Sequence, residues 1–107
     1  MENKFIVVLV SCPSTENALK VKECLLNSKL AACINIVKDV KSFFWWDGKI
    51  NSSEELLLII KSKKQLFRQL VDTVKINHEY DVPEIIALPI VDGNEEYLNW
   101  VGTNTKQ

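Results

Sequence analysis

Apolar positions along the chain follow two rhythms. Phe5-Ile6-Val7-Val8-Leu9-Val10 and Leu56-Leu57-Leu58-Ile59-Ile60 are unbroken aliphatic or aromatic runs of strand length, and the first ends at the turn-prone Ser11-Cys12-Pro13-Ser14. From Ser14 or Thr15, either of which can cap a helix, Ala18, Val21, Cys24, Leu25 and Leu26 recur at helical spacing, which predicts a first helix to about Lys29. Strand chemistry returns at Leu30-Ala31-Ala32-Cys33-Ile34-Asn35-Ile36-Val37 and continues through Val40, Ser42, Phe44 and Trp46. Asp47-Gly48 is the strongest short hairpin signal, so Lys49 to Lys61 is read as the returning strand. Ser62 with Gln65 reads as a capping box for a second helix that carries Leu66, Phe67, Leu70, Val71 and Val74 and ends near Asn77. After the connection His78 to Pro83, Glu84 to Ile90 is a fourth strand. Pro89 cannot donate to a ladder and marks that strand as an edge or a bulge. Asp92 with Glu95 opens a short third helix bearing Tyr97, Leu98, Trp100 and Val101, and Gly102 to Gln107 is a frayed end or a last short strand.

This order is the split βαβ arrangement: an α+β, ferredoxin-like βαββαβ sandwich with a long hairpin and a short C-terminal helix, in a single domain spanning 1–107. Right-handed crossovers put the first two helices on one face of a four-stranded antiparallel sheet and leave the other face uncovered. Yet the apolar runs do not alternate with polar residues as a half-solvated sheet requires. Leaving several such side chains in water would cost on the order of 10 kcal/mol, comparable to the whole stability of a small domain. Another copy of the chain is the expected cover. Symmetry alone favours two copies, and periodicity does not separate two from three. Each hairpin arm could reach roughly 40 Å, longer than a small sheet can pair, so the tip with Phe43, Phe44, Trp45 and Trp46 should project or bend.

Charge then narrows the partners. In 107 residues, 13 basic side chains against 14 acidic ones give a net charge of -1, and Arg68 is the sole arginine. Neither nucleic acid nor an anionic membrane surface is an expected partner on that balance. Three cysteines, Cys12, Cys24 and Cys33, lack C-x-x-C spacing and cannot all pair, which argues against a disulfide framework or a closed zinc site and for a reducing cytoplasm. Leu9-Val10-Ser11-Cys12 matches a lipoprotein cleavage pattern, but the apolar run before it is short and Met1-Glu2-Asn3-Lys4 carries an acid beside its lysine, so the match reads as accidental. No run approaches the roughly 20 apolar residues of a membrane span.

The residues that could carry chemistry are few. His78-x-Tyr80-x-x-Pro83-Glu84 puts an imidazole, a phenol and a carboxylate in one loop; a structural, hydrogen-bonded histidine and a metal ligand are both open readings. Cys33 is either a small core residue or a soft ligand, and thiolate with imidazole would suit copper or zinc. Glu55 and Lys61 stand six apart on one strand, hence on one face, and form either an intersubunit salt bridge or a polar pocket. Tyr97 and Trp100 read as packing residues. No glycine precedes Gly48, so no phosphate-cradling loop follows the first strand, and no GxSxG or HExxH signature occurs. No catalytic residue is assigned, and the chain is not expected to be an enzyme.

Taken in order, Leu30-Ala31-Ala32-Cys33-Ile34-Asn35-Ile36, Ser42-Phe43-Phe44-Trp45-Trp46-Asp47-Gly48-Lys49-Ile50, Glu55 through Ser62, His78 through Glu84 and Tyr97-Leu98-Asn99-Trp100 resemble the CutA divalent-cation-tolerance family along nearly the whole chain. The resemblance implies a homotrimer similar in architecture to the PII signalling proteins, linked to tolerance of copper and other divalent metals. It carries metal binding onto Cys33 and His78, with Glu84 beside them, and an intersubunit cleft onto Glu55, Lys61, Tyr80 and Glu84. Phe44, Trp45, Trp46 and Trp100 are the expected trimer interface. Phe44 stands where the family usually has tyrosine, Ser62 where it has threonine, and Glu79 where proline follows the histidine. The expected function is divalent metal tolerance or homeostasis by a cytoplasmic, non-enzymatic homotrimer with weak copper or other divalent cation binding. Three alternatives stand beside it: a PII-like sensor taking a small anionic metabolite through Lys61, a single-stranded RNA binder using the hairpin aromatics, and a small acyl-phosphate hydrolase.

Overall fold

The computed structural model describes residues 4–107. Its elements are β1 (Phe5–Cys12), α1 (Thr15–Asn27), β2 (Cys33–Trp46), β3 (Lys49–Lys63), a 3-10 turn (Lys64–Leu66), α2 (Phe67–Asn77), β4 (Ile85–Pro89) and α3 (Glu95–Thr103). The strands form one antiparallel sheet in the order β2-β3-β1-β4, the ferredoxin-like arrangement that the element order predicts. Pro89 lies on β4, which is an edge strand, where a missing N–H costs nothing to the ladder. The leader residues Met1, Glu2 and Asn3 lie outside the described residues, while Leu9-Val10-Ser11-Cys12 is the end of β1.

Strand alternation decides the core. Ile6, Val8, Val10 and Cys12 of β1 and Leu56, Leu58 and Ile60 of β3 point to one face and pack against Ala18, Val21 and Leu25 of α1 and Leu70 and Val74 of α2. These side chains are almost fully excluded from water. Leu9 and Ile86, a cross-strand pair, and Val7 with Leu88 belong to the opposite face. There Ile86 and Leu88 remain 49% and 50% exposed.

That second face is not wholly open, which corrects the expectation of an uncovered layer. Phe5, Lys63 and Cys33 share it by register. α3 folds beneath this end: a Cβ on Gly102 would lie 3.4 Å from the Phe5 ring, and Lys63 Nζ donates to the Gly102 carbonyl at 3.3 Å. Val101 is the buried residue of α3, whereas Tyr97 and Trp100 stack at 5.7 Å and stay 40% and 46% exposed rather than packing into a core.

Two caps differ from their sequence assignments because other partners, one distant and one adjacent in sequence, take the side chains. The Ser62 hydroxyl donates to the Leu30 carbonyl at 2.6 Å, so no capping box forms and α2 starts through the 3-10 turn. Asn94, not Asp92, caps α3, accepting from Glu96 N at 3.1 Å, while Asp92 accepts from its neighbour Gly93 N. At α1 the Ser14 hydroxyl accepts from Asn17 N as anticipated.

β1 pairs only with Leu56 to Lys63 of β3, so Lys49 to Glu55 runs beside β2 alone as a two-stranded arm. Asp47 and Gly48 have φ of 52° and 72°, the left-handed pair of a type I′ turn. A bulge between Val37 and Val40, with Asp39 at φ 59°, re-aims the arm where it leaves the sheet. Register places Phe43, Trp45 and Ile50 on one side of the arm and Phe44 and Trp46 on the other. Phe43, Trp45 and Trp46 are each about 70% exposed.

Candidate functional site

The densest polar constellation lies where β1 ends, α1 begins and the connection after α2 returns to the sheet. Asn17, a polar residue on the buried stripe of α1, is only 2% exposed. Its Nδ2 donates to the Asn77 carbonyl at 2.9 Å, and its Oδ1 accepts from Glu79 N at 3.3 Å. Ser14 Oγ donates to Glu79 Oε2 at 3.4 Å. Asn17 did not enter the sequence reading; the available signal was an amide in helical phase with Ala18, Val21 and Leu25, where burial requires partners.

His78 is held at both nitrogens. Tyr80 N donates to Nδ1 at 3.0 Å, so Nδ1 must carry a lone pair and Nε2 the proton, which is donated to the Ser11 carbonyl at 2.7 Å. The imidazole thus clamps the loop to β1, and within the protomer neither nitrogen is free to ligate.

The fold of that loop brings Tyr80 onto β3. Its hydroxyl donates to Glu55 Oε2 at 2.8 Å, and Glu55 is 6% exposed. Burial and the hydrogen bond to the Glu55 carboxylate push the Tyr80 phenol above the ordinary 10. Cys12, fully buried in the same neighbourhood, is pushed up to about 12 by burial and then by the negative charges of Glu55 and Glu79. A thiol held that far up is not a nucleophile near neutral pH. Ser53 Oγ is buried beside the Tyr80 phenol with no partner at hydrogen-bond geometry among the described residues.

The other candidates do not join this cluster. Lys61 lies six residues from Glu55 on β3, about 20 Å along the strand, and bonds to Asn35 Oδ1 and the Ile59 carbonyl. Glu55 and Lys61 therefore do not pair within one chain. Cys33 pairs with Lys61 while Ser11 pairs with Leu57, which separates Cys33 from the His78 clamp by roughly 16 Å of sheet. Cys33 instead neighbours Tyr97, whose phenol is raised by burial and then by that thiol. Glu84 is exposed and stands just before the Val10–Ile85 pair, at the His78 end. Among the described residues, no three His, Cys, Asp or Glu side chains converge as a ligand set.

Comparison with known proteins decides the family. The model of the CutA1 divalent ion tolerance protein matches residues 6–104. The chain belongs to the CutA1 family. It is 47% identical over 102 residues to "Protein CutA 1, chloroplastic" of Oryza sativa subsp. japonica, covering 95% of this chain and 58% of that protein. It is 46% identical over 99 residues to "Divalent-cation tolerance protein CutA" of Thermus thermophilus, covering 92% of this chain and 96% of the relative. The solved Thermus structure superposes with a TM-score of 0.94 over 95% of this chain and 99% of that one, at 44% identity. The structure of the "Periplasmic divalent cation tolerance protein CutA" from Archaeoglobus fulgidus gives 0.92 at 39% identity, covering 95% and 99%. The chain thus spans a little over half of the rice relative and nearly all of the microbial ones. The names place CutA1 relatives in more than one compartment. In this CutA1-family chain, no helix among the described residues is long and apolar enough to cross a membrane.

Proposed function

We propose that this chain serves divalent-cation tolerance as a homotrimer, with the open sheet face and the aromatic hairpin arm as the surfaces that join its copies. The observation that carries the reading is the arm itself: Phe43, Trp45 and Trp46 stand about 70% exposed at its tip, and Ile86 and Leu88 are half exposed on the sheet. Apolar area of that kind in one small domain marks a surface made to be covered. Membership of the CutA1 family supports the cation role.

Direct metal binding by the protomer is weak on this reading, because Cys33, His78 and Glu84 do not meet and His78 spends both nitrogens on backbone partners. A site would need donors from more than one copy, or exchange of a backbone partner of His78 for the ion. Copper and zinc are the ions whose softness suits thiol and imidazole. Three free thiols favour a reducing compartment such as the cytoplasm.

Two measurements test the proposal. Light scattering coupled to size exclusion should give a mass near three chains; a single-chain mass at micromolar concentration removes the assembly. Titration calorimetry with copper and zinc should give weak heats for wild type that His78→Ala diminishes. Identical null titrations remove direct binding by these residues and leave tolerance to an indirect route.

A further inference from the structure

Away from the loop cluster, a cavity of about 500 Å³ opens between the start of β1, the end of β3 and the C-terminal end of α3. Lys4, Phe5, Lys63, Asn99 and Thr103 contribute to its walls. Lys63 is 3% exposed, which is rare for an ammonium unless an acid is paired with it. No acid is: among the described residues the single ion pair joins Lys41 and Glu54. The partner Lys63 does have is the Gly102 carbonyl, at 3.3 Å. Gln107 Nε2 also donates to that oxygen at 3.3 Å, whereas the single Thr105 hydroxyl proton goes to the nearer Val101 carbonyl at 2.9 Å. Lys63 and Gln107 share that oxygen, and an ammonium has three protons to place. Lys63 is therefore a buried cation whose hydrogen-bond partner among the described residues is one shared carbonyl.

A second cation stands beside it. Lys4 is exposed, with its ammonium 5.8 Å from the Phe5 ring centroid, and Phe5 is the register partner of Lys63. Burial, and then the charge of Lys4, push the Lys63 amine below the ordinary lysine range. Two like charges at one cavity oppose each other unless an anion sits between them. The α3 carbonyl that would repel an anion is already covered by the Lys63 and Gln107 donors.

We infer that this cavity is a binding site for a small phosphate-type dianion, inorganic phosphate or a phosphate monoester, held by the ammonium groups of Lys63 and Lys4 with the Asn99 amide at the rim. It is separate from the Glu55–Tyr80 cluster and from Lys61, whose amine bonds to Asn35 and Ile59. It requires no metal, and it does not depend on cation tolerance being the function.

The test is a titration of the full chain with inorganic phosphate, phenyl phosphate and acetate at constant ionic strength balanced with chloride, read by backbone amide NMR and calorimetry. Both phosphates should saturate, with shifts concentrated at Lys63, Gly102 and Thr103. Acetate, with one charge, should bind at least about fivefold more weakly. Lys63→Met should weaken phosphate at least tenfold. Lys4→Gln, a change at an exposed position that leaves the fold intact, should weaken it about threefold or more. Shifts that never saturate, shifts spread over the surface lysines, or equal affinity in wild type and Lys4→Gln would each overturn the site, whatever the fate of Lys63→Met.

Discussion

The Tyr80 hydroxyl donates to the Glu55 carboxylate at 2.8 Å, tying the connection after α2 to the point where β3 leaves the sheet. Glu55 has little water around it, so the phenol is its chief compensation for burial. Tyr80→Phe should cost about 1–3 kcal/mol, because it strands a buried carboxylate, and Glu55→Gln should cost less, since the amide oxygen still accepts. Urea unfolding reads both; a Tyr80→Phe midpoint equal to wild type would contradict the contact.

Alkaline pH should weaken the fold at two places, the Glu55 neighbourhood and the Tyr97–Cys33 contact. Folded-state values for Tyr80 and Tyr97 lie above the ordinary 10, and Cys12 is at about 12 against an ordinary 9. Each raised value means that the unfolded chain loses its proton first, so the stability involved is complete below the unfolded value and disappears as pH climbs through the folded one. Stability should fall from pH 9 towards about 12. Phenolate absorbance at 295 nm should stay suppressed at pH 10 in the folded protein and rise with unfolding; half-developed absorbance there, with structure intact, would refute it.

His78 should exist as the Nε2–H tautomer, because Tyr80 N occupies Nδ1 as a donor. Long-range nitrogen NMR of the neutral ring distinguishes the tautomers directly, and an Nδ1–H form would be incompatible with the clamp. His78→Ala removes both bonds and should cost about 1–3 kcal/mol by denaturant unfolding.

Thiol labelling should divide the three cysteines. Cys24 and Cys33 are partly accessible, whereas Cys12 is completely buried and its thiol is held up. A disulfide reagent near pH 8 should modify Cys24 and Cys33 and reach Cys12 only on unfolding. Rapid modification of Cys12 in the native protein would mean that β1 opens readily at its end.

The hairpin arm offers the sharpest test of assembly. Trp45 and Trp46 lie on opposite sides of it and are 73% and 71% exposed, so Trp45→Glu with Trp46→Glu should leave the protomer's secondary structure unchanged. The same pair should convert the proposed trimer into single chains by light scattering. A doubly substituted protein that retains the wild-type mass places the interface elsewhere.

Much of the site was legible only as residue types. The His78 to Glu84 loop, Glu55 and Lys61 stand out in the sequence as polar groups in apolar surroundings, but not in their combinations. Tyr80 and Glu55 meet across 25 residues, while Glu55 and Lys61, close on the same strand, lie apart because an extended chain carries them away from each other. Asn17 carries no local mark of its role, because its partners, Asn77 and Glu79, are sixty or more positions away.

Local rhythm in the sequence was enough to specify the elements: unbroken apolar runs became β1 and the inner half of β3, helical spacing became α1 and α2, Asp47-Gly48 turned the hairpin and Pro89 marked an edge. These depend on neighbours within a few positions, where backbone sterics and side-chain period act directly. Tertiary structure alone decided that Ser62 bonds to Leu30 instead of capping a helix, that α3 covers Phe5 on the second face, and that His78 spends both nitrogens on backbone groups. Each of these is a competition for a hydrogen bond or an apolar surface between distant segments, and its winner is settled only when the whole chain has packed.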